Sequence, residues 1–123
     1  MKKVVRPWGN FKQFVLNKKC TVKILEINPK QELSLQLHNK REELWYFLDD
    51  AFVQIGKGKK SVRQGDVIKI PIKKAHRIIA GKKKARVLEI SFGNFSEEDE
   101  VRLEDDYGRL KFKNLPDHFN KLK

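Results

Sequence analysis

Three side chains in the stretch "LSLQLHNKREELWYFL", Leu33 to Leu48, carry donor atoms suited to a divalent cation. They are Gln36 with a neutral amide oxygen, His38 with an imidazole nitrogen and Glu43 with a carboxylate. What they do depends on the face they occupy. Leu33, Leu35 and Leu37 alternate with Ser34, Gln36 and His38, which is the side-chain period of a strand. The plain expectation puts the leucines in a core and the polar set in water.

Trp45 and Phe47 oppose that expectation. The segment "NKRE" between His38 and Glu43 has the length of a common hairpin loop. Pairing His38 with Glu43 places Gln36 opposite Trp45 and Ser34 opposite Phe47. One face then holds Ser34, Gln36, His38, Glu43, Trp45 and Phe47, and the other Leu33, Leu35, Leu37, Leu44, Tyr46 and Leu48. Large aromatics are costly to leave in water, and "LWYFL" shows no polar parity, so both faces are expected to be covered. A buried carboxylate and imidazole need partners. A divalent metal would satisfy both, with Gln36 as a third ligand. The alternative is that Glu43 pairs with Arg41 or Lys40 at the surface and His38 simply ends a strand.

The elements that must position these groups are strands. They are expected near Lys12–Leu16, Thr21–Ile27, Leu33–His38, Leu44–Leu48, Phe52–Ile55, Val67–Ile70, His76–Ile79 and Ala85–Phe92. Short turn-rich links such as "GKGKK", "RQGD" and "AGKKK" separate them. Many short strands without helical periodicity predict an all-β sandwich or barrel. "SEEDEVRLEDDYGRLKF" is expected to form a turn of helix or to wrap over the barrel, and "KNLPDHFNKLK" to be a tail. The chain reads as one domain, 1–123, with a barrel core over about 10–95 and an extension over 96–123.

Composition narrows the partners. The 123 residues carry a net charge of +12, which suits an anionic partner such as a phosphorylated small molecule. The lysines are scattered, and the aromatics sit in apolar strands rather than among them, so a nucleic-acid binder is disfavoured. No apolar run reaches membrane-spanning length, and the start has no signal-peptide core. The single cysteine, Cys20, allows no intrachain disulfide and no cysteine-based zinc site. The cytoplasm is the expected compartment.

A second stretch, "GDVIKIPIKKAH" from Gly65 to His76, has a Gly-Asp turn, a short apolar strand, Pro71 and a histidine opening the next strand. Together the two stretches resemble the two cupin motifs. Gln36, His38 and Glu43 fall on the first, with Gln36 for its first histidine; Gly65, Pro71 and His76 fall on the second. The resemblance implies a cupin-type double-stranded β-helix, or jelly-roll barrel, with His76 as a fourth ligand. Lys30, Asp50 and Lys73 stand where the motifs carry glycines, which puts the turn geometry at the two lysines in question.

The resemblance extends further. "RPWGNF", "LSLQLHNKREELW", "IPIKKAHR" and "LEISFGNFSEEDEVRLEDDYGR" are similar to the isomerase domain of type II mannose-6-phosphate isomerases. Relatives commonly read "HHHR-x-EHW"; Asn39, Lys40 and Leu44 replace histidines here. In many relatives a nucleotide-sugar pyrophosphorylase domain comes first; this chain leaves no room for one, and no guanylyltransferase activity is expected. The family reaction interconverts mannose 6-phosphate and fructose 6-phosphate through a cis-enediol. The resemblance implies zinc, or another first-row divalent ion, on Gln36, His38, Glu43 and His76. Glu89 is the acid/base candidate, its alternative role being an ion pair with Lys23. Ser34, Lys23, Arg6, Arg86, Arg102 and Arg109 are the candidates for binding the sugar phosphate. If Gln36 and His38 point inward, Leu33, Leu35 and Leu37 point outward and need cover, so a two-fold homodimer is expected. Rival expectations are a non-catalytic metal- or sugar-binding cupin and another cupin enzyme acting on nucleotide sugars.

Overall fold

The computed structural model describes residues 1–93 and 96–107. Among them are eleven strands and a single 3-10 turn, and nine of the strands form the two facing sheets of a jelly roll. The four-stranded sheet runs β3 (Cys20–Ile27), β10 (Ala85–Phe92), β5 (Glu42–Phe47), β8 (Val67–Ile70). The five-stranded sheet runs β11 (Glu100–Glu104), β4 (Leu35–His38), β9 (His76–Ile79), β6 (Ala51–Ile55), β7 (Gly58–Val62). A separate hairpin of β1 (Lys2–Arg6) and β2 (Gly9–Gln13) precedes the barrel. All paired strands are antiparallel.

The inward rows of the four-stranded sheet change character along their length. β3 contributes Ile27, Leu25, Lys23; β5 contributes Phe47, Trp45, Glu43; β10 contributes Val87, Glu89, Ser91. The register aligns Leu25, Val87 and Phe47 at one level, Lys23, Glu89 and Trp45 at the next, and Ser91 and Glu43 above that. The barrel therefore has an apolar floor and a polar mouth. The floor is a continuous cluster that includes Ile27, Phe47, Val53, Ile70, Ile78 and Val87. Burial of such residues is worth about 1.5–3 kcal/mol each, so the floor holds the barrel together while the mouth is left for chemistry.

Several expectations are corrected. β4 and β5 do not pair: they belong to opposite sheets, and the chain between them turns a corner across the barrel. His38 still faces Glu43, but across the cavity rather than along a ladder; Gln36 registers with His76 instead of Trp45. "GKGKK" supplies strand β7 as well as a turn, because an edge strand can expose its lysines to water. The strand expected at Lys12–Leu16 is β2, which ends at Gln13 and pairs with β1. The C-terminal wrap is present as the turn Glu97–Asp99 followed by β11, hydrogen-bonded along β4. Arg77 ties this wrap to the barrel, its guanidinium lying 3.2 Å from Glu32 and 3.1 Å from Glu104.

The leucine expectation changes too. Leu33 precedes β4, packs against the core cluster and lines the polar cavity. Leu35 is buried and Leu37 half-buried by this chain alone, so neither requires a second subunit. Lys30 and Lys73 adopt φ of 62° and 65°, the left-handed conformation that the motif glycines would supply. Backbone bonds fix both positions, Lys30 N–H to the Gly81 carbonyl and Lys73 N–H to the His38 carbonyl, each 2.7 Å. Asp50 needs no such conformation; its carboxylate instead accepts the Gln64 N–H at 2.8 Å.

Candidate metal centre

His38 ends β4, Glu43 lies near the start of β5 and His76 opens β9, so three strands deliver one group each to the barrel mouth. One donor atom from each lies within 4.8 Å of the others. All three are buried, Glu43 and His76 each to 1% exposure. His38 Nε2 is 3.3 Å from Glu43 Oε2, and His76 Nε2 is 3.7 Å from Glu43 Oε1.

Hydrogen bonding sets the form of each group. His76 Nδ1 is 2.7 Å from the Lys74 carbonyl, an acceptor, so Nδ1 carries the proton and Nε2 presents a lone pair. That Nε2 is buried, has no hydrogen-bond partner and faces a carboxylate. A lone pair aimed at an anion is an arrangement a cation between them would satisfy. Burial pushes His38 down to about 4 and lowers His76 as well, so both are neutral imidazoles near pH 7, the form that ligates metal. Glu43 is oriented by Trp45, whose Nε1–H donates to Oε1 at 3.1 Å. The indole also meets His76 edge-on, centroids 5.3 Å apart. Trp45 is thus both core and scaffold for two donors. The donor set fits a divalent ion.

A cavity of about 220 Å³ opens over this cluster, lined among others by Lys23, Ser34, Gln36, Arg41, Glu89 and Arg102. Gln36 is placed here with its amide nitrogen donating to Glu100 at 3.2 Å. Glu89 is next to Glu43, and burial, then the Glu43 charge, raise it to about 7. Lys23, its neighbour across the β3–β10 ladder, pulls the other way. Arg102 lines the cavity and pairs with Glu100 at 2.6 Å. Two expected phosphate ligands lie elsewhere. Arg86 makes a two-point pair with Asp49 at the surface, and Arg6 sits in the β1–β2 hairpin over the Phe11 ring. Arg109 lies outside the described residues.

The residue that sequence reasoning missed is Arg41. The sequence offers it only as a surface partner for Glu43, yet it is 4% exposed. Its Nε–H donates to Glu43 Oε2 at 3.2 Å, one terminal nitrogen lies 3.2 Å from His38 Nε2, and the other donates to the Ser96 carbonyl at 3.0 Å. The corner carrying it is clamped by Asp99, whose two carboxylate oxygens accept the N–H groups of Asn39 (3.0 Å) and Lys40 (2.9 Å). A signal was present in the sequence: this arginine keeps its place in the histidine-rich motif although Asn39 and Lys40 do not.

Comparison with known proteins places the chain in a family. Residues 1–105 match the family described as mannose-6-phosphate isomerase C-terminal. The xanthan biosynthesis protein XanB of Xanthomonas campestris is 33% identical over 111 residues, covering 88% of this chain and 24% of that protein. The mannose-1-phosphate guanylyltransferase ManC of Salmonella typhimurium is 33% identical over 112 residues, 89% of this chain and 23% of its own length. This chain therefore spans about a quarter of the length of the curated relatives it matches. Among solved structures, the capsular polysaccharide assembling protein CapF of Staphylococcus aureus superposes with a TM-score of 0.64 at 16% identity, over 84% of this chain and 32% of that one. A cupin 2 conserved barrel domain protein of Salinispora arenicola gives 0.57 at 13% identity, over 68% and 71%. With a cupin barrel and a family match over most of its length, the chain belongs to the mannose-6-phosphate isomerase C-terminal family.

Proposed function

We propose that this domain is a zinc-dependent sugar-phosphate isomerase that interconverts mannose 6-phosphate and fructose 6-phosphate. The observation that carries the reading is the convergence of His38, Glu43 and His76 at the barrel mouth, beside a small polar cavity lined by His38, Glu43 and Glu89. Bound there, a divalent ion would supply Lewis-acid stabilisation of the charge that develops on the sugar oxygens. Gln36, on the same wall, would add its amide oxygen by turning away from Glu100.

The chain's own groups divide the rest of the work. Glu89, raised to about 7, exists in both protonation states near neutrality, so its carboxylate can take a proton from one sugar carbon and return it to the next. Lys23 and Arg102 line the cavity and supply positive charge for the phosphate, and Ser34 supplies a hydroxyl. Leu25 and Leu33 form the apolar part of the cavity lining.

The test couples metal analysis to an isomerase assay, for the wild type and His76→Ala. The expected result is about one bound ion per chain and turnover of mannose 6-phosphate, with both lost in the variant. Protein kept away from chelators that carries no metal would sink the ligand assignment. A second reading, a metal- or sugar-binding cupin without turnover, is favoured by the guanidinium of Arg41 inside the donor cluster. Bound metal without isomerisation would establish it instead.

A further inference from the structure

Glu43 and His38 already have a cation. The Arg41 guanidinium is forked between them, 3.2 Å from each, and is itself 4% exposed. Arginine has only donors, so where it meets His38 Nε2 that nitrogen accepts, and the proton of the neutral ring sits on Nδ1. An imidazole nitrogen has one lone pair in the ring plane. It can receive an N–H from Arg41 or ligate a metal, and it cannot do both.

Resting on the metal-site reading above, we propose that Arg41 is a resident counter-cation that a divalent metal must displace. In the metal-free protein it neutralises Glu43 and holds His38 in position. When a metal takes the two donors, the guanidinium gives up both His38 Nε2 and Glu43 Oε2, while its bond to the Ser96 carbonyl keeps it on the cavity wall. There it faces the sugar phosphate and becomes a phosphate-positioning residue. Metal loading and the presentation of a phosphate ligand are then a single event. Three contacts support the proposal: Arg41 bonds both donors, it lines the cavity, and it is anchored separately on the Ser96 carbonyl.

Zinc affinity, measured by calorimetry against a competing chelator, tests this directly. Arg41→Met removes the competitor, and Arg41→Lys keeps the positive charge but cannot reproduce the two-point fork. Both variants are expected to bind zinc about ten- to a hundredfold more tightly than wild type, the worth of one or two charge-assisted hydrogen bonds. A gain confined to Arg41→Met would mean that charge repulsion alone is responsible, and would overturn the displacement. In wild-type protein, the Arg41 side-chain Nε–H resonance is expected to shift on adding one equivalent of zinc. An unchanged resonance at saturation would equally overturn it. Should zinc bind to none of the three proteins in a His76-dependent way, it is the metal-site reading that fails. Circular dichroism confirms that each variant is folded, and Arg41→Lys carries the test if Arg41→Met does not fold.

Discussion

Replacing Glu89 by Gln should change the pH dependence of stability in a calculable direction. Burial and the adjacent Glu43 charge raise the folded-state pKa from 4.5 to about 7. Between those values the folded chain holds a proton that the unfolded chain has released. The wild type therefore carries the cost of an ionised, buried Glu89 above pH 7 and sheds it as the pH falls toward 4.5. At about 1.4 kcal/mol per pH unit, that cost is about 3 kcal/mol. Glutamine does not titrate, so the variant should be the more stable protein by about that amount at pH 8, with the advantage shrinking to near zero at pH 4.5. His38 acts in the opposite sense. Its pKa is lowered from 6.5 to about 4, so stability falls as the pH drops through that window and the unfolded imidazole takes up a proton first. His38 and His76 are present in both proteins and cancel in the difference. Urea unfolding of chelator-treated protein from pH 4.5 to 8 measures that difference. A flat difference curve would refute the argument, because it would mean Glu89 ionises as it does in water.

Three other outcomes are expected. Lys30→Asn and Lys73→Asn each place a residue more tolerant of the left-handed region at φ near 60°, and each should raise stability by about 0.5–1 kcal/mol, read as a higher midpoint of thermal unfolding. Arg77→Met removes the pairs to Glu32 and Glu104; since both carboxylates reach water, the loss should be about 1 kcal/mol, with faster amide exchange in β11 than in β5 or β10. A homodimer remains the expected assembly, and its basis moves from the leucines of β4 to β3, where Val22 and Ile24 on the edge of the four-stranded sheet are 56% and 60% exposed. Sedimentation should give a dimer that Ile24→Lys dissociates, and a wild-type monomer at working concentration would reject it.

The inward orientation of His38 and Glu43 was legible because Trp45 and Phe47 share the parity of Glu43, and aromatic burial outweighs the exposure a lone glutamate would prefer. Val67–Ile70, His76–Ile79 and Ala85–Phe92 were legible for a related reason, as short β-branched runs between clear turn signals. The corner at residues 39–41 was not. A short link joins neighbours in one sheet as readily as it crosses between two, and nothing local to "NKRE" chooses. Arg41 was hidden by the same limit. Among charged neighbours it reads as solvated, and its burial is created by Ser96 and Asp99, more than fifty residues later in the chain. The lysine-rich β7 looks like a turn in the sequence because an edge strand with both faces near water has no apolar parity to show.

The clamp at Asp99 bears on how this site can drift. Its carboxylate grips the backbone N–H groups of positions 39 and 40 and does not consult their side chains. Every amino acid except proline offers that group. Asn39 and Lys40 can thus be exchanged for other side chains while His38 and Arg41 stay where they are. Selection is free to retune the charge of the rim without renegotiating the donor cluster beneath it. For the same reason, randomised libraries at 39 and 40 should return folded proteins of varied rim chemistry, whereas a library at 99 should return almost none.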